Sequence, residues 1–159
     1  MKYKRFEDLP VWQDAIDLAV RVFALTSKAV FRPYSGFRDQ IERASVSVSN
    51  NIAEGFERGT TQELLTFLYI SPGSCGETRS VLCLCERLPR LVNLRSEISD
   101  LKSRAEKISR QLRGWCSSLQ NSDIRGQRYL TSKTQRQTKE ARDRDEFMKE
   151  LEDIRNRRE

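Results

Sequence analysis

The 159-residue chain contains no histidine. That removes the commonest general base, the commonest metal ligand and the side chain that usually changes charge near neutral pH. Long apolar runs are missing too, and nothing approaches the ~18 residues that a membrane-spanning helix needs. The N-terminal MKYKRFEDLP is charged and has no apolar segment, so it does not read as a secretory signal. A cytoplasmic protein with no membrane association is expected. The sequence also lacks a glycine-rich phosphate loop, a Ser/His/Asp set and a metal-binding quartet. Carboxylates are plentiful but spread along charged stretches, so no acid–base pair stands out. Neither catalysis nor a cofactor nor a metal is expected.

Cysteine is scarce: Cys75, Cys83, Cys85 and Cys116. Residues two apart on a helix point ~200° apart, so Cys83 and Cys85 cannot clasp one ion. Cys75 and Cys83 are separated by ~12 Å of helix rise. Without a secretory signal, the four read as small buried apolar residues rather than disulfides.

What the sequence does contain is helical periodicity and charge. Charged residues make up 33% of the chain, close to the 37% that are apolar. That balance fits helices with one buried face and one solvated face. The first helix is expected over Leu9–Lys28, with Asp8 as cap and Pro10 in the first turn. Its buried face is Val11, Ala15, Leu18, Val22 and Leu25. Pro33 and Gly36 mark a break. A second helix runs from Gly36 or Phe37 to Arg58, with Phe37, Ile41, Ala44, Val48, Ile52 and Gly55 inward. Gly59 suits a left-handed end residue, and Thr60 with Glu63 reads as a capping box. So short a turn makes the second and third helices antiparallel neighbours. The third helix, Thr61 to about Leu88, buries Leu64, Phe67, Leu68, Cys75, Leu82 and Cys85. It is expected to kink near Ile70–Gly73 or to split, because Pro72 removes a hydrogen bond and clashes with the preceding turn. After Pro89 a fourth helix starts near Asn93. There Leu94, Ile98, Leu101, Ala105, Ile108, Leu112, Trp115 and Leu119 form a heptad seam.

The pattern stops near Ser122. Residues 125 to 142 carry six basic side chains and one acid, with almost no apolar content. Residues 143 to 159 hold Phe147, Met148, Leu151 and Ile154, enough for a short helix if it can dock. The expected organisation is therefore an all-α, antiparallel up-and-down four-helix bundle over 1–121 and a charged tail over 122–159, disordered or with a short C-terminal helix.

Two features invite a functional reading. Arg43, Ser47, Asn51 and Glu54 step by four, four and three, forming a polar stripe beside the apolar face of helix two. Such small polar groups either let two helices approach closely and hydrogen-bond across the seam, or meet another subunit or line a polar channel. The second feature is arginine. Arg38, Arg43, Arg58, Arg79, Arg87, Arg90 and Arg95 lie in the bundle, and Arg125, Arg128, Lys133 and Arg136 lie in the tail. The net charge is +6. Guanidinium forks suit phosphate, and Tyr129 is the only aromatic within the basic tail. Any nucleic-acid contact is therefore expected at the backbone, salt-sensitive and weakly selective.

Three stretches, FEDLPVWQDAIDLA, RASVSVSNNIAEGFERGT and ELLTFLYISPGSCGE, together resemble the four-helix-bundle proteins encoded within intervening sequences of bacterial 23S ribosomal RNA genes. The likeness spans about Tyr3 to Leu119. It is similar in turn to the accessory variability protein of diversity-generating retroelements. The resemblance implies an up-down bundle in a bacterial cytoplasm and assembly as a homopentamer. It also implies contact with RNA or DNA and, for the accessory proteins, with a reverse transcriptase. By matching position it draws attention to Arg43, Ser47, Asn51, Glu54, Gly55 and Glu77. Ser71 and Pro72 replace the family's usual alanine–leucine pair.

Overall fold

Pro10 opens the first long helix, α1 (Pro10–Thr26), at the position where a missing backbone N–H costs nothing. The computed structural model describes residues 3–126, together with 140, 144 and 147–149. The capping position of α1 is held by Leu9, which offers no side-chain hydrogen bond. Asp8, the expected cap, belongs instead to a short 3₁₀ turn, Phe6–Asp8. The residue before a proline is steered out of the helical region, and Leu9 is accordingly extended. The displaced Leu9 is buried in the core at 3% exposure. Helix α1 buries Ala15, Leu18, Val22 and Leu25, the expected face, and leaves Val11 half-buried.

Two of the three connections have the same form. After α1 an extended Lys28 leads into a six-residue 3₁₀ helix, Ala29–Tyr34, which runs directly into α2 (Ser35–Glu57). After α3 (Thr61–Arg87) an extended Leu88 leads into a second one, Pro89–Leu94, which runs into α4 (Arg95–Gln120). Each drives one large apolar side chain inward, Phe31 in the first and Leu91 in the second, both almost fully buried. Gly36 is therefore a first-turn residue of α2 and not part of a loop. Likewise Asn93 lies in the 3₁₀ segment ahead of α4.

The central connection differs. Gly59 takes a left-handed φ of 79°, open to a residue without a Cβ. Thr60 then caps α3: its Oγ1 accepts from the Glu63 N–H at 3.2 Å. The reciprocal half of the box is altered, because the Thr60 hydroxyl donates to Glu63 Oε2 at 2.6 Å. The turn is as tight as its sequence implies, and α2 and α3 lie antiparallel along their lengths.

Helix α3 passes through Pro72 without a break, so it is not two shorter helices. Pro72 still lacks the N–H that would serve the Leu68 carbonyl. The tertiary contacts around it hold the helix together. Ser71 is fully buried and its hydroxyl donates to the Val48 carbonyl of α2 at 3.2 Å. Leu68 and Cys75, on either side, are fully buried.

The core is one cluster drawn from all four helices and both six-residue connections. Leu94 and Trp115 of the heptad seam pack against its edge, and the other six seam residues are buried. Ion pairs read out the antiparallel register of α1 against α4. Asp14 pairs with Lys107 and Asp17 with Arg104, each at 3.0 Å, and Lys28 pairs with Glu97. As the number rises along α1 and on to Lys28 just past its end, the partner's number falls on α4. Cys75, Cys85 and Cys116 are buried thiols and Cys83 is half-buried; none is in a disulfide. Burial pushes the Cys75 thiol up to about 12 against the pull of Arg79 and Arg113, so it stays protonated and behaves as an apolar group. Among the described residues no helix is long and apolar enough to cross a membrane.

Gly55 marks a close approach of α2 to α3. A Cβ built there would lie 2.8 Å from Phe67 Cβ and 3.2 Å from the Leu64 carbonyl oxygen. Neither atom can rotate away. Gly55→Ala would gain ~1 kcal/mol of helix propensity, against an overpacking cost of ~1–3 kcal/mol that backbone contacts push to its upper end. A net loss of about 1–2 kcal/mol is expected, read as a fall of roughly 2–8 °C in thermal midpoint. An unchanged midpoint would mean that the helices separate freely. Pro72→Ala is expected to act the other way. It restores the bond to Leu68, and the gain of about 2 kcal/mol should raise the urea midpoint without changing the slope.

Candidate nucleic-acid interface

The up-down path brings both six-residue 3₁₀ connections to the same end of the bundle, and the Lys28–Glu97 pair ties one to the other. Each connection carries an arginine beside its proline: Arg32 before Pro33 and Arg90 after Pro89. Arg87 ends α3 and Arg95 begins α4. All four are exposed. Among the described residues Arg32, Arg87 and Arg90 have no ion-pair partner, and Arg95 donates from Nε to the Glu86 carbonyl at 3.3 Å.

The acids at this end are already engaged. Glu86 accepts from Lys102 at 2.6 Å. That hydrogen bond, helped by the charges of Lys102, Arg95 and Arg87, holds its carboxyl below the usual range. Glu97 is taken by Lys28, and Asp39 lies 3.7 Å from Arg38. What remains is a concentration of uncommitted guanidinium groups, a surface suited to phosphate oxygens.

The other residues singled out in the sequence are dispersed. Arg38 is half-buried near this end, and Arg43 is exposed further along α2 with no ion pair among the described residues. Arg58 sits at the opposite end. There it is bound to Glu54 at 2.6 Å and lies over the Phe67 ring at 5.3 Å. The Glu54 hydrogen bond raises its pKa further. Arg125 is exposed beyond α4, also at that opposite end. Arg128, Lys133 and Arg136 lie outside the described residues. Arg32 and Lys28 were not singled out, and the signal that could have found Arg32 is the proline beside an arginine that both connections share.

The polar stripe divides into an inner part and an outer part. Ser47 Oγ lies 3.0 Å from Ser74 Oγ on α3, and Asn51 Nδ2 donates to the Ser47 carbonyl at 2.7 Å and to Ser47 Oγ at 3.0 Å. Ser47 thus reaches the α2–α3 seam, where Gly55 is buried, while Asn51 bonds back along α2. Arg43 and Glu54 are exposed, and all four stripe residues, with Phe23 of α1, line a shallow groove of about 690 Å³. Glu77 accepts from Gln40 Nε2 at 3.3 Å, a link across the same pair of helices. Among the described residues no group of three Cys, Asp or Glu is placed to hold a metal ion.

The family model for the 23S rRNA-intervening sequence protein matches residues 7–114, more than half of the chain. No curated protein matches it. The chain belongs to the 23S rRNA-intervening sequence protein family.

Proposed function

We propose that this member of the 23S rRNA-intervening sequence protein family is a non-catalytic, cytoplasmic helical scaffold that binds structured RNA through phosphate contacts at its arginine-rich end. The observation that carries the reading is the group Arg32, Arg87, Arg90 and Arg95 on and beside two matched connections, with the neighbouring acids already paired. The family name supports RNA as the class of ligand. Tyr34 and Phe37, beside Arg32, are half-buried and stack on each other with ring centroids 5.9 Å apart, so the arginines' contacts are to backbone oxygens and carry little sequence preference.

A second observation supports self-association. Val20 and Phe23 on α1 are 61% and 47% exposed, and Tyr69 and Ile70 on α3 are 55% and 48% exposed. Helices α1 and α3 lie across the diagonal of the bundle, so the two apolar patches face opposite directions. A head-to-tail contact between unlike faces closes into a ring when the rotation permits. Five subunits is the number that the resemblance implies. The competing reading is an adaptor that contacts a protein such as a reverse transcriptase through those same patches, with its arginines serving solubility.

Filter binding of a structured RNA across a salt series separates these readings. Four phosphate-neutralising arginines give a slope of about −3 in log affinity against log salt. The Arg32→Ala/Arg87→Ala/Arg90→Ala variant should flatten that slope by about 2 units and weaken all RNAs alike. Arg58→Ala should leave it in place. Absence of RNA affinity at low salt would leave the adaptor reading. Light scattering checks assembly separately: Phe23→Asp or Tyr69→Asp should each convert an oligomer into monomer while the helical circular dichroism stays the same. A monomeric parent at micromolar concentration would remove the ring.

A further inference from the structure

The end of the bundle opposite the arginines carries an apolar groove of about 420 Å³. Its walls are Leu9 and Val11 at the entry to α1, Trp115 and Leu119 in the last turns of α4, and Ile124 just beyond. Trp115 is half-buried and Ile124 is 43% exposed. The outgoing chain helps to build this groove. The Arg125 carbonyl accepts from the Thr61 N–H at 3.0 Å. Gly126, at φ 104°, lies so close to the central turn that an added Cβ would fall 2.6 Å from the Gly59 carbonyl oxygen. The chain is thus pinned at the rim of the groove before it continues towards its C-terminus.

A second uncovered apolar surface lies downstream on the same chain. Phe147 and Met148 are helical and 58% and 53% exposed. Leu151 and Ile154 follow them at helical spacing in the sequence.

We propose that the groove is the docking site for this chain's own C-terminal segment, entered by Phe147 and Met148. The argument is one of proximity and of matched chemistry. Residues 127–146 join the pinned Gly126 to Phe147, and 20 residues can span up to ~66 Å, far more than the groove requires. A tether anchored at the rim holds the segment at an effective concentration of order millimolar. An apolar segment from another protein would have to outcompete that. Docking also explains why a short apolar-faced segment, marginal as an isolated helix, follows a long stretch with almost no apolar content. The proposal is independent of the arginine-rich end and of RNA.

The chain has two tryptophans, Trp12 and Trp115, so a W12F full-length protein reports on the groove through Trp115 alone. Acrylamide quenching of that protein is compared with the same protein carrying Phe147→Ser and Met148→Ser. The expected result is about a twofold larger quenching constant in the doubly substituted chain, because the indole loses an apolar cover. The difference should be constant over a hundredfold range of protein concentration, as an intramolecular contact requires. Equal quenching constants would overturn the proposal. A difference that appears only as concentration rises would also overturn it, by assigning the groove to a second copy. Hydrogen exchange over Tyr3–Val11, with and without the Phe147 and Met148 substitutions, gives the same discrimination without altering Trp12.

Discussion

The close contact of α2 with α3 is the constraint on which the other arrangements depend. The turn between them has almost no slack: Gly59 is left-handed, and Thr60 already caps the next helix. The two helices therefore leave the turn in contact, and Gly55 lets their backbones meet within its first helical turn. Further along, the seam is lined by small polar groups, with Ser47 against Ser74 and Ser71 on the Val48 carbonyl. Larger side chains would force the helices apart. Because this hairpin lies at the middle of the bundle sequence, α1 and α4 are laid beside it in a matching register. The surface ion pairs record that register. Exposed pairs of this kind contribute little free energy each, and the buried seam does the larger share of the work.

That constraint also accounts for which parts of the fold were legible in the sequence. Signals carried by a few adjacent residues were reliable. Gly59, Thr60 and Glu63 stated a turn and a cap, and the leucine and isoleucine heptad stated α4. Signals that tertiary contacts can override were not. Pro72 argues locally for a broken helix, but the buried Ser71 bond to α2 and the packing of Leu68 and Cys75 hold α3 continuous. Asp8 is a good cap by composition, yet Pro10 sets the helix start and leaves Leu9 in the capping position. The two 3₁₀ connections are hard to see as a matched pair, because AVFRPY and PRLVNL share a proline next to an arginine, a valine and one inward apolar residue, in different orders.

The candidate site was less legible for a physical reason. Arginines are scattered through the sequence at similar density, and no local pattern separates those that pair within the molecule from those that do not. Folding sorts them. Arg21, Arg58 and Arg104 find carboxylates four residues away on their own helices, whereas Arg32, Arg87 and Arg90 fall where the nearby acids already have cations. An uncommitted arginine is a property of the packed bundle. The polar stripe illustrates the same point in reverse: of four residues at one helical spacing, half-buried Ser47 reaches Ser74 of α3 and accepts from Asn51, while Arg43 and Glu54 stay exposed.

The two ends of the bundle consequently differ in chemistry. One gathers guanidinium groups on rigid, proline-containing connections, each anchored in the core by Phe31 or Leu91. The other gathers apolar side chains where the chain enters α1 and leaves α4. A helix of 26 residues separates them, about 39 Å at 1.5 Å per residue, well beyond the ~8–10 Å over which salt lets surface charges influence one another. The exposed apolar residues on α1 and α3 lie on the sides between these ends. Contacts made along the sides would leave both ends open, so assembly would array the arginine-bearing ends on one face. Several weak phosphate contacts would then act on one RNA at once, and the avidity that follows from such an array is large even where each contact is modest. On this argument the bundle's lateral surface, and not any single arginine, governs how tightly the proposed RNA contact is made.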